Sequence, residues 1–205
     1  MRLIQRGRQS LLVPSRTGPR ALHFKLQCLF LVCGIFGVSI LLISKGKFGS
    51  LSFLVETKIK SGNLDSIVRK IMPGWSYLTN LVVSSSCRIL VLWDTRLLRV
   101  DLQFDSCQLV ECLVRAVKVD MACLISFVYG SNSVADRRVL WEDMAARASI
   151  DPDFPRIFLG DFNAVRFPED RCGGCLDWFS SIEECNLGIV GASLDDLRCA
   201  ELRFS

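Results

Sequence analysis

From residue 51 onward, short apolar runs alternate with stretches of helical spacing. The runs cover residues 51–55, 89–93, 109–114, 122–128 and 157–159, and each is strand-length and bounded by polar or turn-forming residues. Leu64, Ile67, Val68 and Ile71 repeat at i, i+3, i+4 and i+7, which predicts a helix with one buried face and Asn63 as its cap. Val134, Trp141, Met144, Ala145 and Ala148 predict a second helix starting near Ser133, and Trp178, Phe179 and Ile182 a third. Pro73-Gly74 closes the first helix and Pro152 lies beyond the second, because proline lacks the N–H that a helix needs to continue. Strands interleaved with helices, without internal repeats, predict a layered α/β domain.

The first 44 residues follow a different pattern. Residues 1–25 carry Arg2, Arg6, Arg8, Arg16, Arg20 and Lys25 and no acidic residue, with Pro14, Gly18 and Pro19 interrupting any period. A disordered basic leader is expected there. Residues 26–44 are uncharged, and Lys45 and Lys47 follow. A basic flank before an uncharged apolar stretch has the form of a signal anchor, although this stretch is close to the shortest that spans a bilayer as a helix. A small membrane-anchored protein is therefore one reading of the chain.

Composition narrows the rest. The 205 residues are 50% hydrophobic, enough for one domain with a core over residues 28–205. Charged residues make up 22% and the net charge is +4, which permits a polyanionic partner without the concentrated Lys and Arg of a strong nucleic-acid binder. Of the ten cysteines, Cys28, Cys33, Cys107, Cys112 and Cys123 sit in apolar surroundings. They read as small buried hydrophobes of a reducing compartment, nuclear or cytoplasmic, rather than as a disulfide framework. Cys172-Gly173-Gly174-Cys175 has zinc-knuckle spacing, with Cys185 and Cys199 as candidate further ligands, but the second pair is widely spaced and no histidine is near. Arg166, Arg171, Arg198 and Arg203 could face a nucleic-acid backbone, although scattered arginines are more often plain surface.

Three apolar runs end in a group suited to phosphate chemistry. Run 51–55 meets Glu56, run 122–128 meets Tyr129, and run 157–159 passes through Gly160 into Asp161 and Asn163. If these are neighbouring strands with a common direction, their ends gather on one rim, where α/β proteins place their sites. A carboxylate such as Glu56 can hold a hydrated Mg²⁺, Asp161 can orient and deprotonate water, and Asn163 and the Tyr129 hydroxyl can donate to a phosphoryl oxygen. The competing reading is that each is a solvated turn residue, with Asp-x-Asn simply capping its loop.

Six segments, in order, resemble a known family. Phe53-Leu54-Val55-Glu56-Thr57-Lys58 is similar to the "L-x-E-T-K" segment of the endonuclease/exonuclease/phosphatase family, and Pro73-Gly74-Trp75 follows at the distance seen in plant LINE-type (non-LTR) retrotransposon endonucleases. Arg88-Ile89-Leu90-Val91-Leu92-Trp93 resembles their "G-R-I-W-V-x-W" strand, with Cys87 at the usual glycine. Ser126-Phe127-Val128-Tyr129-Gly130 resembles their "S-x-V-Y-A" strand end. Arg137-Arg138 with Leu140-Trp141 matches their "R-R-x-L-W" helix, and Leu159-Gly160-Asp161-Phe162-Asn163 their "G-D-F-N". The resemblance implies a four-layer α/β sandwich, two mixed sheets flanked by helices, incomplete at both ends. It implies Glu56 as metal ligand, Tyr129 as phosphate contact, Asp161 as the acid that orients the nucleophile, Asn163 as transition-state donor and Lys58 as support for the metal carboxylate. The implied cofactor is Mg²⁺, with Mn²⁺ as substitute, and the implied partner is DNA, with no small-molecule cofactor.

Departures from the family pattern shape the expected activity. The family's first strand ends "W-N-x-R-G"; the counterpart here is Cys33-Gly34-Ile35-Phe36-Gly37, with Gly34 where the metal-positioning Asn belongs. On this reading the apolar stretch 26–44 is an altered first strand, expected beside run 122–128, rather than a membrane span. The family closes with a late Asp and "S-D-H", whereas this sequence ends at Ser205 shortly after Asp195-Asp196-Leu197, and its one histidine is His23. Losing a general acid/base costs about 10²–10⁴ in rate and losing a preorganised donor about 10²–10³, not additively. The expectation is a nuclease-domain remnant close to inactive, with a membrane-anchored protein and a non-catalytic nucleic-acid-binding relic as alternatives.

Overall fold

Alternation along the strands sorts their residues onto two faces, and both faces are covered. The computed structural model describes side chains for residues 50–55, 57, 62–81, 83, 88–167 and 179–195, and backbone also for 10–14, 27–33, 38–44, 61 and 196. In chain order the elements are β1 (Ser10–Pro14), β2 (Gln27–Cys33), β3 (Val38–Ser44), β4 (Leu51–Val55), α1 (Ser61–Ile71), β5 (Trp75–Thr79), β6 (Ile89–Asp94), β7 (Leu98–Asp105), β8 (Leu109–Ala116), β9 (Ala122–Tyr129), α2 (Val134–Ser149), β10 (Arg156–Asp161), α3 (Phe179–Gly191) and β11 (Leu194–Asp196). They form a six-stranded sheet, β11-β1-β10-β9-β8-β7, and a five-stranded sheet, β2-β3-β4-β6-β5.

The two sheets face each other across the main core. Leu51, Phe53 and Val55 of β4 and Ile89 and Val91 of β6 meet Cys112 of β8, Ile125 and Phe127 of β9, and Ile157 and Leu159 of β10. The Phe53 and Phe127 rings lie 5.1 Å apart at the middle of this layer. On the outer face of the smaller sheet, Leu64 and Val68 of α1 cover Leu90 and Leu92. On the outer face of the larger sheet, Leu140, Trp141 and Met144 of α2 and Cys185 and Ile189 of α3 cover Leu109, Val128 and Phe158. The result is a four-layer α/β sandwich. Strand β6 is buried at every position because both its faces are covered, which is why its sequence is apolar from Ile89 to Trp93 rather than alternating.

One expectation about the sheets needs correction: only the larger is mixed. Among the described residues its single parallel pair is β9–β10, joined by the crossover helix α2, and its other pairings are antiparallel. In the smaller sheet every pairing is antiparallel. Helix α1 does connect β4 to β5, as a parallel crossover would, but β6 inserts between them and runs against both.

The N-terminal third differs further from expectation. Residues 27–33 and 38–44, the stretch with the composition of a membrane anchor, form the antiparallel β2–β3 hairpin. Among the described residues no helix is long and apolar enough to cross a membrane. Nor does the stretch lie beside β9, as an altered first strand would: β3 pairs with β4 in the other sheet, while β9 is flanked by β8 and β10. Within the segment read as an irregular leader, Ser10–Pro14 is a strand inserted between β10 and β11. Helix α1 begins at Ser61, so Asn63 lies inside its first turn rather than capping it. Helix α2 is capped by Ser133 as expected, its side chain accepting from the Asp136 N–H.

Candidate active site

The three strands that carry or precede the predicted groups end on one rim, as a buried asparagine shows. The end of β4 is Val55, which pairs with Ile89 at the start of β6. The end of β9 is flanked by Leu109, which pairs with Val128. Asn80, 0% exposed, joins these two places. Its Oδ1 accepts from the Ile89 N–H (3.1 Å), and its Nδ2 donates to the carbonyls of Ser106 (3.3 Å) and Cys107 (3.2 Å) in the turn before β8. Val55 of one sheet and Tyr129 of the other therefore lie at the same end of the sandwich. Asp161 joins them because it pairs in register with Tyr129 at the end of β10.

Tyr129 and Asp161 also share a face. Alternation from Ile125 and Phe127 puts Tyr129 against the inter-sheet core, where it is 7% exposed. The same alternation from Ile157 and Leu159 turns Asp161, which is partly exposed, toward that face.

Two glycines permit the strand ends to meet. Gly160 has φ +146°, and a Cβ there would stand 2.0 Å from the Val128 carbonyl oxygen; at Gly130 it would stand 2.3 Å from the Phe162 carbonyl oxygen. Only glycine fits either close approach. Past Asp161 the backbone turns through Asn163 at φ +47°, a left-handed conformation that Asn tolerates. Asp161 Oδ1 accepts from the Asn163 N–H (2.9 Å), and Asn163 Nδ2 donates to the Gly130 carbonyl (2.6 Å). These bonds set the orientation of both side chains and tie the loop after β10 to the loop after β9. They commit one Asn163 amide hydrogen to the backbone and leave the second for any phosphoryl oxygen.

The structure thus brings together Tyr129, Asp161 and Asn163. Glu56 and Lys58 lie outside the described residues, as does Gly34, where the resemblance would place an Asn. Among the described residues no group of three His, Cys, Asp or Glu side chains is placed to hold a metal ion. Asp161 alone is a partial fit for Mg²⁺, which takes one or two carboxylates together with substrate phosphate. Of the zinc candidates, Cys172, Cys175 and Cys199 lie outside the described residues, and Cys185 is packed among the apolar side chains of α2 and α3. Cys112 and Cys123 are buried, and burial pushes both thiols up to about 12, where they are inert at neutral pH. Arg166 is held by Asn186 of α3 (Nε to Oδ1, 3.2 Å) and lies over the Phe167 ring.

Besides Asn80, two residues that organise this rim carry no role in the sequence pattern. Arg137 lies on the buried stripe of α2 with Leu140, Trp141, Met144 and Ala148, and its guanidinium reaches both rim loops. The signal was available: an arginine at a core position of a helical repeat is unusual. Gln108 accepts from the Ser131 N–H (2.6 Å) and donates to the Asp136 carbonyl (2.9 Å), pinning the start of α2 to the β7–β8 turn. Nothing in its sequence neighbourhood marks it. In comparison with known proteins, no family model matches the chain and no curated protein matches it.

Proposed function

We propose that this chain is a degenerate phosphodiesterase domain of the endonuclease/exonuclease/phosphatase type, nearest the endonucleases of plant LINE-type retrotransposons, and that its hydrolytic rate is negligible as the 205 residues stand. The observation that carries the reading is the register pairing of Tyr129 with Asp161 at the ends of two parallel strands, with Asn163 reaching across to Gly130. These residues occupy the positions where the "S-x-V-Y-A" and "G-D-F-N" resemblances put a phosphate contact, an acid and a donor.

In such a site water attacks phosphorus and one P–O bond breaks. Asp161 would hold the water and take its proton, while Tyr129 and the second Asn163 amide hydrogen would donate to the phosphoryl oxygens. Glu56, backed by Lys58, would hold Mg²⁺ or Mn²⁺, which supplies charge stabilisation when bound. What is lacking is a histidine: the one in this sequence is His23. With Gly34 in place of the family Asn, two contributions of about 10²–10⁴ and 10²–10³ are reduced or lost together. DNA is the ancestral substrate on this reading, in the nucleus or cytoplasm.

The experiment is nicking of supercoiled plasmid by the 205-residue chain with Mg²⁺ or Mn²⁺. No nicking above the buffer control is expected. Robust nicking that disappears in Glu56→Ala would overturn the inactivity. The ancestry has its own test in Mn²⁺ titration followed by amide NMR, where broadening centred on Gly130, Asp161 and Asn163 is expected. Broadening elsewhere, or none, would remove the phosphodiesterase reading.

A further inference from the structure

The two rim loops are tied at a fixed spacing by a buried side chain of α2, Arg137. Arg137 is 1% exposed and carries five N–H donors, all engaged. Nη1 donates to the carbonyls of Ser131 (2.7 Å) and Asn163 (2.8 Å), one in each rim loop. Nη2 donates to Glu184 Oε2 (2.6 Å) and Ser181 Oγ (3.1 Å), and Nε to Glu184 Oε1 (3.2 Å), all on α3. Glu184 is oriented in turn by the Trp141 indole N–H, and the Trp141 ring stacks on Phe162, between Asp161 and Asn163. One rigid fork thus has one arm on the loops and the other arm on a helix anchored in the core.

We propose that Arg137 is the positioning residue of the rim: its Nη1 arm sets the spacing of the Ser131 and Asn163 carbonyls and so decides whether Tyr129 and Asp161 face one shared ligand. Lysine cannot replace it. An ammonium carries the same charge but only three donors from one point, too few to serve two loop carbonyls and both Glu184 oxygens in a plane. The Asn163-to-Gly130 bond depends on that spacing because it crosses between the same two loops. The ligand part of the proposal rests on the phosphodiesterase reading; the spacing part does not.

The test is NMR on the whole chain, wild type against Arg137→Lys and Ile189→Val. Ile189 is buried in the same apolar layer, so its truncation controls for simple loss of stability. In the wild type, the Arg137 guanidinium protons should exchange slowly, and scalar couplings from Nη1 across hydrogen bonds to the Ser131 and Asn163 carbonyl carbons should tell them from those of the buried Arg156. Their absence from resolved guanidinium signals overturns the proposal without any variant, and so covers the case in which Arg137→Lys does not fold. In folded Arg137→Lys, the Asn163 side-chain amide should move toward its solvent-exposed shift and Mn²⁺ affinity at the rim should fall about 10- to 100-fold, as for lost supporting residues at metal sites. Ile189→Val should change neither. If Arg137→Lys keeps the Asn163 signal and the Mn²⁺ affinity of the wild type, Arg137 is a stability residue only. If the wild type binds no Mn²⁺ at the rim while the Asn163 signal still depends on Arg137, the phosphodiesterase reading falls and the spacer stands.

Discussion

At Asp143 in α2, a carboxylate oxygen is enclosed without a hydrogen-bond partner among the described residues. Burial raises its pKa, only partly opposed by a hydrogen bond with Ser106, so the charged form is disfavoured in the folded state. For an acid whose folded pKa lies above its unfolded value, the stabilising contribution is present at low pH and lost as pH rises through the folded pKa. Asp143→Asn should therefore raise the melting temperature at pH 7, and the gain should shrink as pH falls toward the ordinary carboxylate range. Thermal melts of both proteins across that pH range check it; a gain that does not vary with pH would rule out ionisation as the cause. At this scale the sequence was informative where chemistry forces a residue type. Gly160-Asp161 marked a strand end because no other residue fits at φ +146° beside the Val128 carbonyl. It was silent at Asp143, whose cost depends on an enclosure made by other elements.

At the scale of elements, the face of the larger sheet under α2 holds a buried ion network. Glu111 of β8, fully buried, accepts from Arg147 of α2 (Nη2, 2.7 Å; Nε, 3.0 Å) and from Arg156 of β10 (Nε, 3.1 Å) and the Ser126 hydroxyl (2.9 Å). One carboxylate offsets two guanidinium groups, and burial lowers the pKa of Arg156. Removing the anion leaves both cations without their partner in low dielectric. Glu111→Gln should cost about 3–5 kcal/mol in urea unfolding; a loss under 1 kcal/mol, about that of a surface pair, would show that the network is solvated in practice. Element identities were largely legible. The five apolar runs all became strands, and the three helical repeats became α1, α2 and α3. Strand β7 is faint in the sequence although Leu98, Val100, Leu102 and Phe104 alternate with polar residues, because it is an edge strand whose exposed positions dilute the apolar signal. The β2–β3 hairpin was obscured because 26–44 has no charge and no strong turn signal beyond its glycines.

For the molecule as a whole, Asn80 couples the two sheets at the rim end. A Leu there would match its size but leave the Ile89 N–H and the Ser106 and Cys107 carbonyls without this partner. Asn80→Leu should cost about 1–3 kcal/mol and speed hydrogen exchange at the Ile89 amide well beyond the general loss of stability. Exchange at Ile89 that changes no more than exchange at the central Val91 amide would argue against a local clamp.

The sequence by itself determined five of the strands, the three helices and the residue types that could act on phosphate, because these follow from periodicity, backbone sterics and side-chain chemistry within a few residues. Only the tertiary structure decided that one sheet is wholly antiparallel, that the uncharged N-terminal stretch extends the smaller sheet, and that Arg137, Asn80 and Gln108 bind the rim together. Strand order and the partners of buried polar groups depend on pairings between segments far apart in the chain. No pattern within one segment specifies them, because the free energy that selects among them appears only when the layers close.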